Sequence, residues 1–262
     1  MPDLVQLADD LRAEHAELDA FVSSILPGEW DTPTPAVGWS VRDQVSHLSF
    51  FDEEATLAAT DPEAFNERLM TAAADIDGYM NGPLAKGRAI TPEEMLEWWR
   101  GSRASMLEAF AGVDPAARIP WYGPPMGLAS FISARLMETW AHGQDVIDAL
   151  GAKREPTERL RHVAFLGVRA RRNSYAAHGM EMPEGEVRVE LHGSDGDVWT
   201  FGDASENVVR GSAEGFCLLV TQRRHPADTD VETQGPLAAE WMSIAQAFAG
   251  PPGEGRRPGQ FG

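Results

Sequence analysis

Apolar residues recur at steps of three and four along the first 150 positions, and alternate with polar ones only beyond residue 186. Leu4, Leu7, Leu11, Leu18, Phe21, Val22 and Ile25 fall on one side of a helix, which predicts helix one from Leu4 to Ile25. The turn-rich stretch "LPGEWDTPTPAVGWS" breaks that rhythm. Ser40 stands at the N-cap position and Asp43 three residues on, the capping-box spacing, so helix two is expected from Val41 to about Ala59. A third helix is expected from Asp61-Pro62 to about Met80, with proline in the first turn. Cap, proline and acidic first turn coincide at Thr91-Pro92-Glu93-Glu94, which starts a fourth helix ending near Gly112. After the loop "DPAARIPWYGPPMG", helix five runs from Leu128 to Leu150 and is closed by Gly151.

Beyond Gly151 the texture changes. A helix from Pro156 to Arg172 leads to "EVRVELHGSDGDVWTFG", where alternation on both sides of Ser194-Asp195-Gly196 predicts a β-hairpin. "NVVRGSA" and "TDVETQG" read as further strands, "AEGFCLLVTQRR" and "PLAAEWMSIAQAFAG" as helices, and there is no internal repeat. The expected class is α+β: a helical unit over residues 1–152, a smaller α/β unit over 153–250, and a mobile Pro/Gly-rich tail over 251–262.

The formal net charge of -19 argues against nucleic acid or an anionic membrane as partner. No window is apolar enough for a membrane-spanning helix, and the acidic, periodic N-terminus is unlike a secretory signal. The lone Cys217 lies in "GFCLLV", where it reads as a buried side chain in a reducing compartment; a cytoplasmic protein is expected. Zincin, dinucleotide-binding, P-loop and nucleophile-elbow motifs are all missing.

The chemistry concentrates on two helices. Glu138 and His142 are four apart on helix five, within reach of one ion; by spacing alone they are either ligands or a polar stripe. Asp145 shares the stripe, as a polar-face residue or as an acceptor that orients His142. His47 on helix two sits among Val45, Leu48 and Phe51, either as a hydrogen-bonded core histidine or as a ligand. Two imidazoles and a carboxylate from neighbouring helices would make a three-ligand centre with open positions, the pattern of a catalytic rather than a structural zinc site. His15 reads as core, and His162, His178, His192 and His225 lack partners at ligand spacing. Trp98 and Trp99 cannot both face inward, and Trp121, Tyr122 and Met126 either roof the cleft or pack on the bundle.

"GWSVRDQVSHL" together with "METWAHGQDVIDALG" resembles the DinB-like metal-binding four-helix bundles, and especially their mycothiol-dependent maleylpyruvate isomerase branch. "PWYGPPM" and the ending "TQRRHPADTDVETQGPLAAEWMSIAQAFAGPPG" are similar to an actinobacterial family of metal-binding proteins in that superfamily. The resemblance implies a bundle followed by a sterol-carrier-like domain, with His47, Glu138 and His142 as ligands of a divalent metal, zinc in the isomerase, with Ni2+ or Fe2+ as alternatives. It also implies a mycothiol-like thiol cosubstrate, a small electrophilic acid, and a cleft-facing arginine whose nearest match is Arg223 or Arg224. The expected activity is thiol transfer or isomerisation by a monomer or homodimer with small-molecule partners. Two other readings use the same residues: a non-haem iron oxygenase, because two histidines and a carboxylate are also the iron facial triad, and a non-catalytic metal-stabilised binding protein.

Overall fold

The computed structural model describes residues 3–261. The chain divides into two units, Met1–Lys153 and Arg154–Gly262. In the first, α1 (Leu4–Val22) opens on Asp3, whose carboxylate accepts from the backbone N–H groups of Val5 and Gln6. It stops short of Ile25, and a short 3-10 turn over Pro27–Asp31 instead drives Trp30 into the core. α2 (Val41–Thr60) starts as predicted, with the Asp43 carboxylate accepting from the Ser40 N–H at 2.9 Å.

The predicted third helix is two. α3 (Pro62–Ala72) ends in a turn, and Asp75 begins α4 (Ile76–Arg88) by accepting from the Gly78 N–H. A short polar side chain that can bind nearby backbone competes with helix continuation, and here it restarts the helix on a new axis. α5 (Pro92–Gly112) carries the full Thr91/Glu94 capping box. Two short strands missed in the sequence, β1 (Arg118–Ile119) and β2 (Met126–Gly127), pair and pinch the "PWYGPP" loop at its base. α6 (Leu128–Ala149) ends at Gly151, whose φ of 61° lets Ala152 donate back to Ile147 and Gly151 to Asp148.

α1 packs on α6 and α2 on both α5 and α6, and the α1–α5 side is tied by Arg100 and Arg103, which donate to Asp19. These four helices form the bundle, with α3 and α4 against α2. Leu18, Val22, Val41, Val45, Leu48, Met95, Trp99 and Val146 form one apolar cluster. Each such side chain contributes about 1.5–3 kcal/mol by leaving water. Trp99 is buried; Trp98 is half-buried against the edge of the cluster, with its Nε1–H donating to Glu53.

In the second unit the predicted helix over 156–172 becomes α7 (Leu160–Arg169) and α8 (Arg171–Ala177), breaking at Ala170. α7 packs against α9 (Ala213–Val220) through Gly167, where a Cβ would meet Val220 Cγ2 at 2.8 Å. The hairpin forms as expected: β3 (Arg188–His192) pairs antiparallel with β4 (Val198–Phe201) across Ser194-Asp195-Gly196. β5 (Val208–Ser212) lies parallel to β3, and β6 (Glu232–Gln234) closes the order β4-β3-β5-β6. Val189, Leu191, Trp199 and Val209 are buried and share its covered face.

α9 ends at Val220 rather than running to Arg224, because Gln222 takes a φ of 59°. α10 (Pro236–Ile244) stops before Gly250. Cys217 is fully buried, and burial pushes its thiol well above the ordinary range. Residues 251–261 hold no helix or strand, yet they are anchored: the Gly259 N–H donates to Asp228, and Arg224 lies over the Phe261 ring. Among the described residues no helix is long and apolar enough to cross a membrane.

Candidate metal centre

α2 delivers His47, and α6 delivers Glu138 and His142 one turn apart. One ligand atom from each of the three lies within 4.8 Å of the others. Glu138 Oε2 is 3.1 Å from His142 Nε2 and 3.8 Å from His47 Nε2, and the two imidazole centroids are 4.4 Å apart. None is sealed off: the side chains of His142, His47 and Glu138 retain 11%, 16% and 25% of their exposure.

The orientation of His142 is set from behind. Its Nδ1 lies 2.6 Å from Gln44 Oε1, while Gln44 Nε2 donates to Thr34 Oγ1, and Thr34 Oγ1 donates to the Trp39 carbonyl. An amide oxygen only accepts, so Nδ1 carries a proton, and Nε2 is the ring nitrogen turned toward the centre. Both ring nitrogens are thereby engaged, by Gln44 and Glu138; Asp145, expected either on the polar face or as an orienting acceptor, is buried.

Burial holds His47 down to about 4, and the neighbouring His142 adds to the effect against the pull of Glu138. Burial pushes Glu138 up, but its contacts with His142 and His47 outweigh this and hold it well below the carboxylate range. The protonation state at neutral pH is therefore an unprotonated imidazole at His47 beside an ionised carboxylate. These are the forms in which such side chains ligate metals.

The donors themselves test the fit to an ion. His142 Nε2 and an anionic carboxylate oxygen of Glu138 face each other at hydrogen-bond distance. A proton on Nε2 satisfies this contact, and a divalent cation taking both atoms as ligands would replace that proton.

The walls are aromatic. Trp39 stacks on His142 with centroids 5.9 Å apart and leans on His47 at 5.2 Å. Phe51 contacts His47 at 4.4 Å and Tyr122 at 5.4 Å. Beyond Phe51, the buried Glu54 carboxylate accepts from Tyr79, Tyr122 and Arg68. Burial and this carboxylate push both phenols up, so both stay protonated. Trp121 packs on Phe65 and Phe131, so the loop that carries it is fastened to the bundle.

Sequence reasoning gave no role in the centre to Gln44, Glu54, Tyr79 or Trp39. The available signal was position: Gln44 precedes His47 by three residues and Glu54 follows it by seven, which puts both near its side of α2. Arg223 and Arg224 belong to the second unit, just past α9, where their Nη1 groups donate to the carbonyls of Thr221 and Arg223.

A family model described as the mycothiol maleylpyruvate isomerase N-terminal domain matches residues 11–147. The chain belongs to that family. The matched span includes all three residues of the centre. Two similar Mycobacterium tuberculosis proteins bear the names uncharacterized protein MT0041 (strain CDC 1551 / Oshkosh) and uncharacterized protein Rv0036c (strain ATCC 25618 / H37Rv). Each is 45% identical over 258 residues, 98% of this chain and 100% of the relative. Among solved structures, the mycothiol-dependent maleylpyruvate isomerase matches with a TM-score of 0.57 and a point mutant of it with 0.58. Both are 17% identical and cover 88% of this chain and 92% of theirs, a likeness of fold.

Proposed function

We propose that the protein is a divalent-metal-dependent enzyme that activates a low-molecular-weight thiol of the mycothiol type. The thiol is then transferred to a small electrophilic organic acid or used to isomerise it. One observation carries the metal part of this reading: one ligand atom from each of His47, Glu138 and His142 lies within 4.8 Å of the others, with Glu138 Oε2 3.1 Å from His142 Nε2 and 3.8 Å from His47 Nε2. His47, Glu138 and His142 would hold the ion. Three protein ligands leave coordination positions for a small molecule, and zinc suits this N/O set, with nickel or iron as the other candidates.

A bound divalent ion would supply Lewis acidity, favouring the thiolate form of an approaching thiol. The protein's own contributions are positional. Gln44 fixes the imidazole of His142, Trp39 and Phe51 wall the entrance, and Tyr79 and Tyr122 present phenolic oxygens beyond Phe51. Arg223 and Arg224 are the proposed holders of a carboxylate on the electrophile, for which a guanidinium has the matching planar fork. Support for the thiol comes from family membership and from the name of the structural neighbour, and support for the metal from the donor set.

Metal content of the purified protein tests the reading. The parent is expected to take up one equivalent of zinc, and His142→Ala to lose it; full stoichiometric zinc in the variant would overturn the assignment. Iron in protein purified without air, with oxygen consumed on adding substrate, would favour the oxygenase reading of the same three residues.

A further inference from the structure

α2 and α6 run antiparallel and meet through three successive polar rungs. Gln44 faces His142, His47 faces Glu138, and Asp52 faces Arg135. The first two belong to the centre. The third lies one turn beyond Glu138, where Arg135 Nε and Nη2 both donate to Asp52 Oδ1, at 3.2 and 2.9 Å.

This third rung is out of place in the bundle interior. Arg135 is 2% exposed and Asp52 fully buried, among apolar neighbours in sequence that include Leu48, Ala55 and Leu136. A charge pair this deep loses about as much in desolvation as it regains, and apolar side chains of similar volume often serve stability better. Its presence calls for a role that leucine and methionine would not fill. Apolar faces tolerate small slides, whereas two N–H groups converging on one oxygen do so in a narrow range of positions.

Resting on the metal-centre reading, we infer that Arg135 and Asp52 are positioning residues for that centre. They lock the register of α2 against α6 so that His47 stays opposite Glu138. Arg135 lies on the same stripe of α6 as Glu138 and His142, three and seven residues before them, so locking its end aligns all three. A slip of one residue on α2 would swing His47 about 100° around the helix and out of the centre. With Gln44 as the opposite rung, the ligand rung is held from both sides.

The experiment compares the parent with Asp52→Leu/Arg135→Met by Co2+ titration against a competing chelator, with the visible cobalt spectrum and the melting temperature of the metal-free protein recorded in parallel. The expected result is a metal-free melting temperature at or above the parent's, with cobalt affinity lower by about tenfold or more and an altered visible band. A double variant that binds cobalt with the parent's affinity and spectrum overturns the inference while leaving the centre intact. A parent that takes up no cobalt overturns both. If the double variant does not fold, Arg135→Lys, which keeps the charge and loses the fork, answers the question. Weaker cobalt binding at an unchanged melting temperature supports the positioning role, and unchanged affinity overturns it.

Discussion

Gln44 decides which nitrogen of His142 faces the centre, and it does so from behind the ring, outside the three converging residues. Gln44→Leu removes the acceptor at Nδ1 and frees the ring to rotate or to change tautomer. Metal affinity is expected to fall about 10–100-fold, as for other orienting partners of ligating histidines. Competition with a chelator measures this, and unchanged affinity would show that the packing of Trp39 alone fixes the ring. At this scale the sequence was most legible where spacing has few explanations. Glu138 and His142 are four apart, and His47 follows a recognisable cap. Gln44 was not legible, because a glutamine in a helix has no signature until its partner on another helix is known. Arg223 and Arg224 stand out by being adjacent cations in an acidic chain, but a guanidinium pair carries no sign of what it faces.

Helix ends were read from chemistry that is local, and the structure agrees at the starts at Ser40 and Thr91 and at the stop at Gly151. The errors came where competition was also local but finely balanced. "TAAADID" has three alanines before Asp75, and the break between α3 and α4 comes where the Gly78 N–H bonds its carboxylate and Ala74 and Asp75 turn back onto Thr71 and Ala72. β1 and β2 are two residues each, too short for alternation to register. Glycines make the same point about local and tertiary control. At Gly101, inside α5, an added Cβ would have open space for 4 Å around it, whereas one at Gly87 in α4 would lie 2.6 Å from Ser46 Oγ and 2.8 Å from Met95 Cε. Gly101→Ala is expected to stabilise by about 0.5–1 kcal/mol through its helix preference alone. Gly87→Ala is expected to destabilise, because α4 would have to lift from α2. Urea unfolding of the two variants side by side checks the opposite signs.

For the molecule as a whole, buried titratable groups set the response to acid. His15 is 2% exposed, both of its ring nitrogens lack a hydrogen-bond partner among the described residues, and burial, reinforced by Arg103 and Arg135, lowers it from 6.5 to about 3. Below pH 6.5 the unfolded chain takes up a proton that folded His15 refuses. Its contribution is therefore intact above pH 6.5 and declines until about pH 3, at up to about 1.4 kcal/mol per pH unit. His47 acts in the same sense down to about pH 4. Asp52 opposes them: burial raises it from 3.8 to about 6, so the folded state keeps a proton that the unfolded chain releases, and stability is lost as pH rises through that window. His15→Leu is expected to reduce the fall in unfolding free energy between pH 6.5 and 4.5 by about 2 kcal/mol. Denaturant titrations at the two pH values measure it, and an unchanged fall would assign the acid sensitivity to other groups.

The division of labour within the helical unit also has an evolutionary consequence. The candidate ligands and their rungs lie wholly on α2 and α6, with Trp39 and Phe51 beside them, whereas the outer aromatic and phenolic layer beyond Phe51 comes from α3, α4 and the loop between β1 and β2, through Phe65, Tyr79, Trp121 and Tyr122. Insertions, deletions and exchanges in that intervening chain can reshape what enters without shifting the register of the residues that would hold the ion. Such a scaffold can acquire new substrates by drift in its walls while its chemistry stays fixed, and divergence of specificity among its relatives is expected to concentrate there.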